Sequence, residues 1–390
     1  MAAAFIGPGT ITMCSIAGAQ FKYGLIWALI VSILLTMFIQ LTAIRIGLTT
    51  KNTLSNLIKD QFQSGLLKYT SILLIISAIF IGNSAYEAGN ISGAVMGFEL
   101  LFAKSFQFNQ INMFSILSGI LALPLIIFGN NKVLEKILII LVLIMSFSFV
   151  FTVFIVGIDF NLLLSSSNLF SFSSESILTI AGLIGTTVVP YNIFLHVALV
   201  NNRWKSTKEL RFANFDTIVS ISIGGLISLC ILLTAAGLNN SDILNAVDLA
   251  YSLQPLYGDF SKYIVAIGLL SAGLTSSITA PIAAAYVVCG CFGFSINRKS
   301  KLFKIIAVIV LLIGVIFSSI GFSPIEIIKF AQVTNGILLP LVVVFLLFLA
   351  NNTRLLKNNT NNLLQNVLGL IVIGFCLLLC YRSVAKVFLQ

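Results

Sequence analysis

The chain has 390 residues, of which 58% are hydrophobic and only 9% are charged. A soluble domain carries about 25% charged residues, so water cannot be the solvent for most of this surface. The net charge of +10 would suit a nucleic-acid partner, but the basic residues are distributed as membrane topology requires. Composition therefore argues against a nucleic-acid-binding protein and indicates a polytopic membrane protein in contact with the lipid bilayer.

Apolar runs of about 20 residues, the length that spans a bilayer core, recur along the whole sequence. The weak ten-residue alternation of a transmembrane β-barrel is absent, so we expect an all-α protein. The runs predict eleven membrane segments: 1–20 (interrupted), 25–45, 70–98, 112–130, 133–157, 176–200, 217–237, 261–292, 302–321, 325–349 and 363–385.

Basic residues are concentrated in alternate loops, and acidic residues in the loops between them. Under the positive-inside rule the basic loops are cytoplasmic, so we expect the N-terminus inside and the C-terminus outside, in a bacterial cytoplasmic membrane. The basic loops include Lys51, Lys59, Lys132, Lys136, Arg203, Lys205, Arg298, Lys299, Arg354 and Lys357, and the opposite loops include Glu99, Asp159, Glu175, Asp242 and Asp259.

Nothing in the sequence indicates an enzyme or a cofactor. No nucleophile stands beside a base, no glycine motif suits a phosphate group, and the lone histidine has no evident partner. The six cysteines all fall within apolar segments without a CxxC pair, so we expect small buried side chains rather than metal ligands.

Two of the predicted helices are interrupted. The first contains Gly7-Pro8-Gly9 and the sixth contains Val189-Pro190. Proline removes a helical hydrogen bond, and a break within the membrane is tolerated only where the freed backbone groups are buried in protein or line a cavity. Each break taken alone is also explained as an ordinary proline kink.

The two breaks lie five helices apart, so each opens a block of five helices, and an odd number of helices inverts the second block. Paired interrupted helices in inverted halves indicate a substrate site near the bilayer midplane. We expect one transmembrane domain over 1–390, with inverted repeats at about 1–157 and 176–349 and an extra helix at about 363–385.

Several stretches resemble the Nramp (natural resistance-associated macrophage protein) family of divalent metal ion transporters. GPGT at 7–10 and AGAQFKYGLIW at 17–27 resemble its first helix, TVVPYNIFLHVALV at 187–200 its sixth, and AGLTSSIT at 272–279 its eighth; Gln332 falls where the tenth helix carries glutamine. The resemblance covers essentially the whole chain. It implies a LeuT-type fold of two inverted five-helix repeats plus an eleventh helix, alternating access and proton coupling.

The chain departs from the family pattern at the ligand positions. Family members carry Asp-Pro-Gly-Asn in helix 1 and Met-Pro-His in helix 6, where the Asp, Asn and Met bind the ion. Here these positions hold Gly7, Thr10 and Val189, and Tyr191 replaces the histidine. The carboxylate that offsets dehydration and the soft sulfur that suits transition metals are both missing. The expected substrate-binding residues are therefore hard and neutral, and none is a usual family metal ligand: Gly7, Gly9, Thr10, Val189, Tyr191, Asn192 and Gln332.

The residues expected to couple transport to an ion gradient lie in three helices. Glu87 is a carboxylate within the third helix, where a charge is unfavourable unless it has a function, and it matches a family glutamate. His196, the only histidine, matches a family histidine on the proposed proton route and has a pKa range suited to proton transfer. Ser276, Ser277 and Thr279 form a hydroxyl cluster typical of a sodium site in LeuT-type transporters. The alternatives are a structural pairing of Glu87, a hydrogen-bonded core histidine, and hydroxyls that bridge helices.

Three functions remain open from the sequence. The first is a secondary transporter of an inorganic cation, such as hydrated Mg²⁺ or Mn²⁺, coupled to protons or sodium. The second is a transporter of a small organic solute such as an amino acid or amine, and the third is a non-transporting membrane sensor. Only six residues precede Gly7, whereas a half-helix that reaches the cytoplasmic face needs about ten, so we expect the first half-helix to be truncated. The sequence leaves the oligomeric state open.

Overall fold

Helices account for nearly all of the structure, a computed structural model that describes residues 6–61, 66–129, 132–164, 173, 175–238 and 242–388. Within these ranges eight helices are long and apolar enough to cross a membrane, so the protein is an integral, multi-pass membrane protein.

The elements follow one another as helices joined by short connections. In chain order they are α1 Pro8–Phe21, α2 Ile26–Thr50, α3 Leu54–Gln61, α4 Leu66–Phe102, β1 Gln107–Phe108, β2 Ile111–Asn112, α5 Met113–Phe128, α6 Lys132–Val156, α7 Phe160–Leu164, α8 Ile177–Thr187, α9 Pro190–Arg203, α10 Leu210–Gly237, α11 Ala246–Tyr251, α12 Gln254–Tyr257, α13 Ser261–Phe292, α14 Lys301–Ser319, α15 Pro324–Ala350, α16 Thr353–Leu356 and α17 Leu363–Phe388, with 3-10 turns at Thr207–Glu209, Gly258–Phe260 and Lys357–Asn359. The predicted membrane segments coincide with α1, α2, α4, α5, α6, the pair α8–α9, α10, α13, α14, α15 and α17.

Both predicted breaks are extended residues followed by proline. Gly7 (φ −96°, ψ 175°) precedes α1, which begins at Pro8. Val189 (φ −81°, ψ 119°) separates α8 from α9, which begins at Pro190. Proline suits the first position of a helix because no hydrogen bond is required of its nitrogen there. The two prolines therefore start new helices rather than bend continuous ones.

The membrane helices pack in two groups. In the first group α1 packs against α8 and α10, and α2 packs against α9 and α10; in the second group α4 packs against α13 and α14, and α5 packs against α14. We call these groups the bundle and the scaffold. Helix α6 contacts α10 and α13, and helix α15 contacts α8 and α4, so each links the bundle to the scaffold.

Helix α1 approaches both groups closely through glycines. A Cβ atom on Gly18 would overlap the carbonyl oxygen of Leu232 in α10, and a Cβ atom on Gly93 of α4 would overlap the Pro8 ring. Lipid removes most of the hydrophobic drive for helix association, so close packing at small residues supplies the attraction. Helix α1 is thereby held at its broken end by the scaffold and along its length by the bundle.

Helix α17 lies at the periphery, packed on α15 and α8. Its start is tied to α2 by Arg45, whose guanidinium donates to Gln365 Oε1 at 2.7 Å and to Asn361. Most of its apolar side chains, among them Leu370 and Ile371, are exposed, as expected of a helix that faces lipid.

Candidate substrate site

The two breaks lie side by side. The hydroxyl of Thr10, in the first turn of α1, is 3.0 Å from the hydroxyl of Thr186, in the last turn of α8, and both residues are buried. This contact joins the start of one interrupted helix to the end of the other. The sequence analysis predicted Thr10 as a site residue but missed Thr186. Only the contact between α1 and α8 reveals Thr186.

Gln332 of α15 fits into the space between the two interrupted helices. A Cβ atom on Gly9 would overlap the Gln332 side-chain nitrogen, and one on Gly185 would overlap the Gln332 carbonyl oxygen. Gln332 is 1% exposed, and its Oε1 atom has no hydrogen-bond partner within the described part of the chain. The absence of side chains at Gly9 and Gly185 thus lets the buried side-chain amide and the backbone of Gln332 approach both breaks, with the amide nitrogen nearest to Gly9.

Tyr86 of α4 and Ser276 of α13 face Gly7. A Cβ atom on Gly7 would lie 3.4 Å from Tyr86 Oη and 3.5 Å from Ser276 Oγ. The Tyr86 ring also packs edge-on against Tyr191, with 5.2 Å between ring centroids. Sequence reasoning missed Tyr86, whose only signal was its position before Glu87.

A cavity of about 260 Å³ lies between α6, α9 and α13. Val189 is buried at the break, and its carbonyl oxygen accepts a hydrogen bond from the backbone nitrogen of Asn192 at 3.0 Å. The Asn192 side chain lies on the cavity wall. The exposed side chains of Glu135 and Arg298 also line it. The oxygen-bearing side chains on the remaining wall are those of Tyr191, Asn192, Thr275, Ser276 and Thr279.

The hydroxyl cluster of α13 is divided between two places. Ser276 and Thr279 line the cavity, and the Thr279 hydroxyl donates to the Thr275 carbonyl oxygen at 3.0 Å within its own helix. Ser277 is fully buried and lies beside Glu87 of α4. Adjacent helix residues point about 100° apart, so the structure does not bring all three predicted sodium-site residues together.

Glu87 is completely buried in the scaffold. Its Oε2 atom accepts a hydrogen bond from Asn90 at 3.2 Å, and its Oε1 atom has no hydrogen-bond partner among the described residues. Its stem lies against Gly314 of α14, where a Cβ atom would be 2.9 Å from Glu87 Cβ. No Lys, Arg or His of the described ranges pairs with it. An unpaired carboxylate is unfavourable in such a place, so a bound proton or cation would stabilise the side chain.

His196 lies in the bundle, away from the scaffold that holds Glu87. It is 5% exposed, and its Nδ1 atom donates to Gln40 Oε1 of α2 at 2.6 Å. Its Nε2 atom is 3.4 Å from the Thr217 hydroxyl of α10. The described hydrogen bonds connect His196 of α9 to two other bundle helices, α2 and α10, and not to Glu87.

The family model described as "Natural resistance-associated macrophage protein-like" matches residues 1–386. Among curated relatives, the divalent metal cation transporter MntH of Caldanaerobacter subterraneus subsp. tengcongensis is 24% identical over 388 residues, covering 96% of this chain and 89% of the relative. The protein of the same name from Erwinia tasmaniensis is 27% identical over 399 residues, covering 98% and 91%.

Solved structures show the fold. The Eremococcus coleocola manganese transporter, crystallised with an aromatic bis-isothiourea compound, aligns with a TM-score of 0.74 at 18% identity and covers 99% of this chain and 86% of that one. MhsT in complex with L-phenylalanine aligns with a TM-score of 0.56 at 16% identity, covering 97% and 98%. The expected LeuT-type fold of two inverted five-helix repeats plus an eleventh helix is confirmed.

Proposed function

Because the chain belongs to the Nramp family, we propose that it transports divalent metal cations across a membrane by alternating access. The observation that carries the proposal is the meeting of the two interrupted helices at Thr10 and Thr186, with the buried side-chain amide of Gln332 beside Gly9. Its curated relatives bear the name divalent metal cation transporter, and a transporter family gives no support to an enzymatic activity.

The substrate that fits these residues is a hard cation, Mg²⁺ or Mn²⁺, that keeps part of its water. The breaks supply hydroxyl and amide oxygens, and neither a carboxylate nor a thioether occupies the family's ligand positions. Mg²⁺ dehydrates reluctantly and takes six ligands in octahedral geometry. Six waters occupy about 180 Å³ at roughly 30 Å³ each, and the cavity of about 260 Å³ beside Asn192 has room for them.

Coupling to a proton or sodium gradient is assigned to Glu87, with His196 as a second titratable group. The support for Glu87 is its complete burial with one oxygen unpartnered, since intramembrane carboxylates of this kind usually serve proton or ion paths. Ser277, beside Glu87, would assist there, whereas Ser276 and Thr279 would meet the substrate in the cavity.

We further propose that the N-terminus is inside, that the membrane is a bacterial cytoplasmic membrane, and that the repeats extend over about 1–157 and 176–349, with the extra helix at about 363–385. The alternating basic loops support the orientation. The repeats are supported by packing, because the α15–α4 contact corresponds to the α6–α13 contact when membrane segments are shifted by five. The organic-solute and sensor alternatives find no support in the family match.

The test is uptake into proteoliposomes of Mg²⁺, Mn²⁺, Ca²⁺ and a panel of amino acids, with and without imposed proton or sodium gradients. Empty liposomes are the control for leakage. We expect saturable Mg²⁺ or Mn²⁺ uptake that accelerates with one of the gradients. Amino-acid uptake without uptake of any divalent cation would contradict the proposal.

A further inference from the structure

The space beside Gly7 is lined by two hydroxyl groups. A Cβ atom there would be in ordinary contact with Tyr86 Oη at 3.4 Å and Ser276 Oγ at 3.5 Å. An oxygen atom one bond beyond that position, directed toward either hydroxyl, comes within hydrogen-bond distance of it. The position at which the resemblance places a carboxylate is thus faced by neutral donors and acceptors from two other helices.

The Tyr86 hydroxyl has a defined position. The ring is 3% exposed and lies edge-on to Tyr191 at an interplanar angle of 68°, an arrangement that aromatic pairs favour. Tyr191 and Ser276 both line the cavity between α6, α9 and α13. The Tyr86 hydroxyl therefore stands where this cavity meets the break before α1.

The side chains of Tyr86 and its neighbour Glu87 point to different sides of α4. Successive residues of an α-helix point about 100° apart, and the stem of Glu87 lies against Gly314 in the scaffold. A cation beside Gly7 would therefore face the phenol oxygen of Tyr86 and not the carboxyl group of Glu87.

We propose that Tyr86, together with Ser276, contacts the transported cation through its bound water and sets the preference for ions that keep a water shell. The assignment rests on the proposed function. A hydroxyl oxygen accepts a hydrogen bond from a metal-bound water but brings no net charge. A site without a carboxylate does not offset the removal of water from the ion, which favours Mg²⁺ with its retained waters over ions that bind protein ligands directly.

The test compares the variants Tyr86→Phe and Ser276→Ala with the wild-type protein in Mg²⁺ and Mn²⁺ uptake. Phenylalanine keeps the ring on Tyr191 and removes only the hydroxyl. Tyr263→Phe is the matched control, because Tyr263 is an exposed residue in the first turn of α13. We expect each site variant to raise KM for Mg²⁺ about tenfold, since a hydrogen bond to a charged group contributes about that much to affinity. Vmax of the site variants should be unchanged, as should KM and Vmax of the control Tyr263→Phe. The preference of the site variants for Mg²⁺ over Mn²⁺ should fall.

The outcomes separate this assignment from the proposed function. If the wild-type protein takes up Mg²⁺ or Mn²⁺ while the site variants keep its KM and its ion preference, the assignment to Tyr86 and Ser276 is wrong and the transport function stands. A wild-type protein that moves no divalent cation overturns both. If one site variant fails to fold, as judged by size-exclusion chromatography, the other decides the result.

Discussion

Replacing Gly9 by alanine perturbs the contact between the two interrupted helices. The added Cβ atom would overlap the Gln332 side-chain nitrogen and lie 2.6 Å from its Cδ atom and 3.1 Å from Thr186 Oγ1. Carbon atoms pack at about 3.5–4.0 Å, so the overlap with Cδ is about 1 Å. Overpacking of this kind costs about 1–3 kcal/mol. We expect lower thermal stability in detergent and slower cation uptake.

A second substitution tests whether overlap with the Gln332 side chain causes the loss of stability. Gln332→Ala removes the side chain that the new methyl group strikes, so the double variant should recover stability, with a coupling energy of about 1–3 kcal/mol. The matched control is Gly374→Ala, because nothing lies within 4 Å of a Cβ atom there, and alanine should leave stability unchanged or raise it. Strictly additive effects of Gly9→Ala and Gln332→Ala would refute the idea that Gln332 occupies the space beside Gly9.

Three further substitutions test the remaining assignments. Glu87→Gln keeps the shape of the side chain and removes the titrating group, so the protein should stay folded while uptake loses its response to the coupling gradient; a retained response would exclude Glu87. His196→Ala leaves the buried Gln40 oxygen without its donor and should lower stability by about 1–3 kcal/mol, measured by thermal unfolding against Gln40→Ala; no change would show that the hydrogen bond contributes nothing. Gly7→Asp places a carboxylate beside the Tyr86 hydroxyl and should tighten Mn²⁺ binding at least tenfold, measured by calorimetry, whereas the neutral Gly7→Asn should not; equal effects would contradict a role for charge.

The positions of most membrane helices are predictable from the sequence because long apolar runs indicate segments that lie in lipid. Helix α13 spans the residues predicted, 261–292, since the left-handed Gly293 ends it where the apolar run stops. Helix α10 begins at Leu210 rather than at the predicted 217. A capping box of Ser206 and Glu209 starts the preceding turn, and Arg211, Asn214 and Asp216 interrupt the apolar run over the first helical turns.

The site was predictable where a single helix reveals it. Proline and glycine mark the breaks locally, and burial of a carboxylate marks Glu87. Tyr86 and Thr186 were missed because their importance arises from neighbours in other helices. The Tyr86 hydroxyl is 3.4 Å from the Cβ position of Gly7, and the Thr186 hydroxyl is 3.0 Å from that of Thr10. Such contacts between distant segments leave no local pattern in the sequence.

The contact between Pro8 and Gly93 can serve as a pivot. The proline ring rests on a residue without a side chain, and proline carries no amide hydrogen to donate. Pro8 therefore donates no hydrogen bond that a tilt of α1 against α4 would break. Farther along α1, Gly18 fits into the backbone of α10 at Leu232 and Ala236, so α1 and α10 would turn as one body. A bulky residue at position 93 would collide with the Pro8 ring and remove this close contact between α1 and α4.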